Sequence, residues 1–312
     1  MGIWSSDLLV AHRCLVGFHG RAARVQAMKV SLVLATLGRA DDLARLISSL
    51  VVQTSDCFEL LVVDQNLDDR VLPYVQQAHR AGLAVKHLRL TKPNLSAARN
   101  RGISEASGDV IAFPDDDCWY APDLIEQVQQ AFELHPDWDG LVAQWVEQAQ
   151  GLGRLAEVEP TLSAAAWRQF RGGEASSISL FVKASALRRF GGFDERFGVG
   201  QWFGAGEETD LMLRMLGAGA LLGRWQPARV HHRFVPQALA RQHAQWRSVL
   251  QRARGTGAIY AKHRLVGWVF LRGLLAPVAK AAWQRQGLRA LALAVVETCG
   301  RLQGACAWLL GR

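Results

Sequence analysis

The sequence has no uninterrupted run of about 18 uncharged apolar residues, the length a helix needs to cross a bilayer. Leu265 to Trp283 comes nearest, and Arg272, Pro277 and Lys280 interrupt it. Cysteine is scarce. Cys14, Cys57, Cys118, Cys299 and Cys306 are scattered, with no CxxC pair and no metal-finger spacing. That pattern argues against a zinc module or a disulfide framework and points to free thiols in a reducing compartment. No GxGxxG follows the first apolar run, where the loop reads Thr36-Leu37-Gly38-Arg39, and no P-loop is present. A dinucleotide-dependent oxidoreductase and a P-loop phosphoryl-transfer enzyme therefore lack their signatures. Repeats and low-complexity tracts are missing too, and a chain that is 50% hydrophobic does not read as disordered.

Acidic residues almost vanish toward the C-terminus. From Ala238 to Arg312 there are 12 Lys/Arg against Glu297 alone, whereas the first 237 residues hold 24 Lys/Arg and 27 Asp/Glu. The net charge of +8 thus belongs to the tail, which predicts an anionic partner surface or, more plainly, a solvated helix face. At the other end, residues 1–27 carry Arg13, Arg21 and Arg24 but only short apolar runs, without the apolar core of a signal peptide. They read as an extension ahead of the fold, with Met28 as an alternative start.

From Met28 onward the chain alternates short apolar runs with helical periodicity. Val30 to Ala35, Phe58 to Val63, Ala84 to Leu90 and Asp109 to Phe113 read as strands. Between them lie helices over Ala40 to Val52, Val71 to Arg80 and a segment opened by Asn94 or Ser96 as N-cap; Pro122 to Leu134 follows as another helix. This alternation predicts an α/β fold: a doubly wound, mostly parallel sheet flanked by helices. Ligands in such sheets bind beyond the carboxyl ends of the strands, where Thr36, Asp64 and the triplet Asp115-Asp116-Asp117 fall. Further on, Ser177 to Val182 and Ala220 to Trp225 read as strands and Glu207 to Leu216 as a helix. The glycine- and aromatic-rich stretch Gly191 to Gly206 reads as a mobile loop.

Three adjacent carboxylates repel one another unless a cation sits among them. Hard oxygen donors at that density suit Mg²⁺ or Mn²⁺, which can bridge a diphosphate; an acidic turn capping the next helix is the plainer reading. A second acidic cluster, Glu207-Glu208-Thr209-Asp210, opens a predicted helix. A carboxylate crowded by others and shielded by aromatics such as Trp202 and Phe203 gains a raised pKa, which suits a general base.

Taken together, Val30 to Arg39 (VSLVLATLGR), Leu60 to Asp64 (LLVVD), Asn94 to Gly102 (NLSAARNRG), Ile111 to Pro122 (IAFPDDDCWYAP), Gly191 to Glu195 (GGFDE) and Gly206 to Leu211 (GEETDL) resemble the family 2 glycosyltransferases. The resemblance covers about Met28 to Arg233. It implies a GT-A-type fold and inverting transfer from a nucleotide-sugar to an acceptor hydroxyl, assisted by a divalent cation. Ala35 and Thr36 then face the base and ribose, Asp64 and Arg99 contact the base, and Arg39 joins the nucleotide-binding set. Asp115 and Asp116 lie by the ribose and diphosphate. Asp117 holds the metal, with Asp115 and His232 as further ligands, and Glu208 is the catalytic base with Glu207 as the alternative. The sequence departs from the family at Gly38, where Asn is usual, at Gln65, where an acid often follows, and at Glu208, where Asp is common. These departures bear on base preference and on which carboxylate is catalytic.

The domain reading is an extension over 1–27, a catalytic domain over 28–236 and a basic helical tail over 237–312. In that tail Leu288, Leu291, Ala292, Val295, Cys299, Leu302, Cys306 and Leu309 recur at three- and four-residue intervals, one apolar stripe of a helix. The stripe packs on the catalytic domain or on a second chain, or it docks with Trp268, Trp283 and Trp308 on an anionic cytoplasmic leaflet. The second reading is the one adopted. It places the protein at the inner face of the plasma membrane with a glycan or lipid-linked acceptor, in cell-surface polysaccharide or glycolipid assembly. Nucleic acid is not an expected partner, since the tail has no recognition motif. A non-catalytic, membrane-associated scaffold with the same fold is the competing function.

Overall fold

The structure, a computed structural model, describes residues 28–147, 161–170, 176–232, 245–285 and 287–311. The extension over 1–27 and the 236/237 boundary lie outside them.

The first half is built from strands that are apolar without interruption. β1 (Val30–Thr36) and β2 (Phe58–Asp64) are buried nearly throughout, as strands covered on both faces must be. Of the two carboxylates they bury, Glu59 is held by Ser31, Ser107 and Lys29, and Asp64 ends β2. The helix α1 (Leu43–Val51) turns Leu43, Leu46, Ile47 and Leu50 onto the sheet, so the 3.6-residue period did predict its buried face. After α2 (Leu72–Arg80) and β3 (Val85–Arg89) comes α3 (Leu95–Glu105). Asn94 caps α3 by accepting from the Ala97 amide at 3.0 Å. α3 lies so close to β1 that a Cβ on Gly102 would sit 2.2 Å from Val33 Cγ1.

Next in the chain are β4 (Val110–Ala112), β5 (Cys118–Tyr120), α4 (Leu124–Leu134), β6 (Gly140–Glu147), α5 (Ala164–Arg168), β7 (Leu180–Lys183), α6 (Ala184–Phe190), α7 (Glu207–Gly217) and β8 (Leu222–His232). They complete one eight-stranded sheet of order β3-β2-β1-β4-β7-β6-β8-β5. The half β3-β2-β1-β4 is parallel, as expected. Beyond β4 the sheet is mixed: β7 runs antiparallel to both β4 and β6, β8 parallel to β6, and β5 antiparallel to β8. Two strands were not foreseen, β5 because it has three residues and β6 because its sequence does not alternate. Ser177–Ser179, read as the start of a strand, is a 3₁₀ turn, and the strand begins at Leu180. β8 runs on past Trp225 to His232.

The described tail is helical, as expected: α8 (Trp246–Lys262), α9 (Gly267–Trp283) and α10 (Leu288–Leu309). Glycines let α8 and α10 meet backbone to backbone. A Cβ on Gly257 would lie 1.9 Å from the Arg301 carbonyl, and one on Gly304 1.9 Å from the Arg254 carbonyl. The face of α10 that packs is therefore Ala294, Gly300, Gly304 and Ala305, and the apolar stripe expected to pack or dock points mainly outward, with Val295, Leu302 and Leu309 exposed. Among the described residues, Cys118, Cys299 and Cys306 stand outside any disulfide.

Candidate active site

Register brings the polar strand ends together. Thr36 stands opposite Asp64 across β1 and β2, and Cys118 opposite His232 across β5 and β8. The second pairing sets Asp117, one residue before β5, beside the last residue of β8. His232 Nε2 lies 3.1 Å from Asp117 Oδ1.

Asp64 ends β2 fully buried. Its Oδ1 accepts from the Asn66 amide at 2.9 Å and from Asn66 Nδ2 at 2.8 Å, and its Oδ2 meets His87 Nε2 at 3.1 Å. His87 was missed in the sequence. Its signal was its place in β3, where it stands opposite Val62, two residues short of the strand end. Asn66 also accepts from the Gly38 amide, which ties the first loop to the second. Gln65, where the family often has an acid, accepts from the Asn94 amide at 2.7 Å and so anchors the start of α3.

Thr36 donates to Asp116 Oδ2 at 3.2 Å. Arg39 spans the triplet, with Nη1 2.8 Å from Asp117 Oδ2 and Nη2 3.2 Å from Asp116 Oδ1. Burial raises the Asp116 carboxyl to about 6, with Arg39 opposing and Asp117 and Asp115 adding repulsion. Asp117 goes the other way, to about 2, chiefly because His232 hydrogen-bonds it, with Arg39 assisting. Unequal environments thus separate adjacent carboxylates.

Arg99, 2% exposed on α3, reaches three partners: Asp115 Oδ1 at 3.2 Å, Glu207 Oε1 at 3.3 Å and Ser177 Oγ at 2.9 Å. Its guanidinium also lies over the Phe193 ring at 5.2 Å. It bridges the acidic triplet to the first turn of α7. That turn begins at Gly206, whose φ of 101° only glycine adopts without strain. Burial raises Glu208 to about 8, the Glu207 charge adds to the rise, and Arg99 counters it. Glu207 keeps one buried oxygen, Oε2, without a hydrogen-bond partner. A polar atom buried in that state is costly, and it marks a place where a substrate or water hydroxyl has something to gain. A continuous series of contacts therefore runs from Asp64 through Thr36, the triplet and Arg99 to Glu207 and its neighbour Glu208.

The stretch Gly191 to Gly206, read as a mobile loop, is packed down. Phe197 and Phe203 are buried against each other and against Trp308, so Trp308 lines this cluster instead of facing outward as its membrane reading required. Asn100 and Ser96 of α3 hold the loop through the Phe193 and Phe197 carbonyls.

Among the described residues no group of three or more His, Cys, Asp or Glu stands ready around one metal position. Asp117 and His232 adjoin and carry donors that Mg²⁺ or Mn²⁺ accepts, and these cations usually take the rest of their shell from water and phosphate oxygens. Two adjacent, partly exposed protein donors fit such an ion.

The Glycosyl transferase family 2 model matches residues 31–195. The chain is 34% identical over 106 residues to "Uncharacterized glycosyltransferase YwdF" of Bacillus subtilis, covering 34% of this chain and 39% of that one. It is 34% identical over 113 residues to the dolichol-phosphate mannosyltransferase of Pyrococcus furiosus, covering 35% and 32%. The matched region thus spans about two-fifths of these relatives or less. Among solved structures, the mannosyltransferase PcManGT from Pyrobaculum calidifontis, in complex with GDP-Man and Mn²⁺, superposes with a TM-score of 0.61 at 15% identity, covering 91% of this chain and 88% of that one. TarS 1-349 of S. aureus, in complex with UDP-GlcNAc, gives 0.56 at 14%, covering 89% and 92%. Likeness at these identities is likeness of fold, and it bears out the α/β GT-A-type sheet with a helical extension.

Proposed function

The chain belongs to glycosyl transferase family 2, and from that premise we propose that it is a metal-dependent inverting glycosyltransferase moving a sugar from a nucleotide diphosphate to an acceptor hydroxyl. The observation that carries the reading is Arg99. One buried guanidinium links the acidic triplet after β4 to the acidic first turn of α7, two clusters that direct displacement needs on either side of the anomeric carbon.

In this reading the nucleotide lies over the carboxyl ends of β1 and β2. Ala35 and Thr36 face the base and ribose, Asp64 hydrogen-bonds the base, and Asn66 and His87 fix the orientation of its carboxylate. Arg39 swings from the triplet toward the diphosphate, and Asp116 and Asp115 line the ribose and phosphate side. Asp117 and His232, with Asp115 nearby, hold the cation, whose chemistry when bound is to neutralise charge developing on the diphosphate leaving group. Glu208 takes the acceptor proton as the hydroxyl attacks from the face opposite the leaving group. Its raised pKa places the base close to working pH, where proton abstraction is most effective. Glu207 and Arg99 hold the base in position. Arg99 engages the carboxylates and Ser177 here, so its role is to organise the catalytic side as well as the donor.

The acceptor is a glycan or a lipid-linked sugar, and the tail supports a membrane address. No helix among the described residues is long and apolar enough to cross a membrane. Instead Trp268, Leu275 and Trp283 on α9 and Leu288, Leu302 and Leu309 on α10 are exposed in a tail that carries 12 Lys/Arg against Glu297 alone, which suits peripheral docking on an anionic leaflet.

A screen of nucleotide-sugars for hydrolysis with Mg²⁺ or Mn²⁺ tests the reaction class. Asp117→Ala is expected to lose cation-dependent donor binding, measured by calorimetry. Glu208→Gln is expected to bind donor as before and to fail in transfer. Full turnover by both variants would refute the assignment of roles.

A further inference from the structure

One lysine on α8 sits between two carboxylates that come from different motifs. Lys262 Nζ lies 2.7 Å from Asp194 Oδ2 and 2.6 Å from Asp210 Oδ1. Asp194 belongs to the GGFDE stretch before the glycine-rich loop, and Asp210 to the GEETDL turn after it. His263 Nε2 meets the same Asp210 oxygen at 2.8 Å. Arg214 takes the other at 2.9 Å and donates onward to the Phe190 and Gly192 carbonyls. Asp210 is fully buried, and the Lys262 side chain is 16% exposed. In so little water, these charges attract far more strongly than a surface pair.

The same helix also presses on the loop directly. Gly255 is so close that a Cβ there would lie 1.9 Å from the Ala205 carbonyl, and a Cβ on Gly206 would lie 2.9 Å from Ile259 Cγ1. The loop between the two aspartates buries Phe197 and Phe203 under Lys262 and Trp308. Its order therefore comes in part from residues that follow the region matched by the family, which ends at 195.

We propose that Lys262 is a positioning residue: its ammonium staples Asp194 to Asp210, closes the base of the Gly191 to Gly206 loop, and thereby fixes the first turn of α7 with Glu208 at its start. The proposal rests on the transferase reading for its effect on turnover, but the staple itself does not. With the ammonium removed, the two carboxylates lose their shared counter-ion. The flank at Asp194 keeps Arg196 and the flank at Asp210 keeps His263 and Arg214; Arg214 still reaches the GGFDE stretch through the Gly192 carbonyl, but the direct bridge between the two carboxylates is gone. The α7 turn is then held less tightly to the GGFDE stretch, while the sheet and the nucleotide side stay in place. Lys262 is thus expected to govern turnover, with little effect on donor affinity.

The test compares full-length Lys262→Met, Lys262→Arg and Asp194→Asn with the wild type by hydrogen–deuterium exchange, thermal unfolding and donor hydrolysis kinetics. Lys262→Met should raise exchange about tenfold over 197–210 and leave 30–36 and 58–64 unchanged. Its kcat should fall at least tenfold with KM for donor within twofold, and Lys262→Arg should recover most of that loss. Asp194→Asn cuts one arm only and should show the same local exchange, so it decides the matter if Lys262→Met does not fold. Unchanged exchange over 197–210, or a rise spread evenly over the sheet, would overturn the staple. A loss confined to KM would overturn the positioning role. If the wild type hydrolyses no nucleotide-sugar, the transferase reading falls, and exchange alone still decides the staple.

Discussion

Replacing Arg99 by Met removes a cation that is 2% exposed and leaves Asp115, Glu207 and the Ser177 hydroxyl facing the space it filled. Breaking a buried ion pair by deleting one partner costs about 3–5 kcal/mol, because the surviving charge stays buried without compensation. At about 1.5 °C per kcal/mol for a chain of this size, melting should fall by roughly 5–8 °C. The pH dependence identifies the cause. Arg99 opposes the upward push that burial exerts on Asp115 and Glu208, so without it both carboxyls rise further. A carboxyl whose folded pKa lies above its unfolded value of about 4 costs stability as pH climbs past that value. The deficit of Arg99→Met should therefore be smallest near pH 5 and grow toward pH 9. Scanning calorimetry across that range, with circular dichroism to confirm folding, measures it. Glu207→Gln added to Arg99→Met should recover at least about 1 kcal/mol, the coupling expected of contacting groups. A deficit independent of pH, or a double variant that simply sums the single losses, would refute the electrostatic account of this site.

Three further outcomes are expected. The turnover profile of the wild type, as kcat/KM for donor hydrolysis, should rise between pH 6 and pH 9, because the base form of a carboxyl raised to about 8 fills over that interval; a flat profile would remove Glu208 from the role. Gly102→Val should lower stability by about 1–3 kcal/mol, as overpacking does, since even a Cβ there meets Val33 Cγ1 at 2.2 Å; chemical denaturation would read it, and a neutral result would contradict the close packing of α3 on β1. Vesicles of phosphatidylglycerol should sediment the protein and neutral phosphatidylcholine vesicles should not. Leu302→Glu, on the exposed stripe of α10, should weaken that binding, and equal failure on both lipids would end the membrane reading.

The parallel half of the fold was written in the chain because its signals are local. Apolar runs of β-branched residues alternate with helical periods over β1 to β4, and strands buried on both faces leave little else for such runs to do. The same alternation put Thr36, Asp64 and the Asp triplet at strand ends, where ligands gather. The sequence by itself thus determined the sheet's core, the family and the two acidic clusters. It did not reveal β5, too short for a periodic signal, or the outward direction of the α10 stripe, since periodicity names an apolar face and not what that face meets. Only the tertiary structure decided that glycines and alanines form the packing face of α10, because close helix approach selects the smallest side chains and strands the larger ones outside. It also decided the long-range partnerships, namely His87 on Asp64, His232 on Asp117, Arg99 on Glu207 108 residues away, and Lys262 between Asp194 and Asp210. Charge pairing acts through space, so no spacing along the chain announces which buried cation will meet which carboxylate.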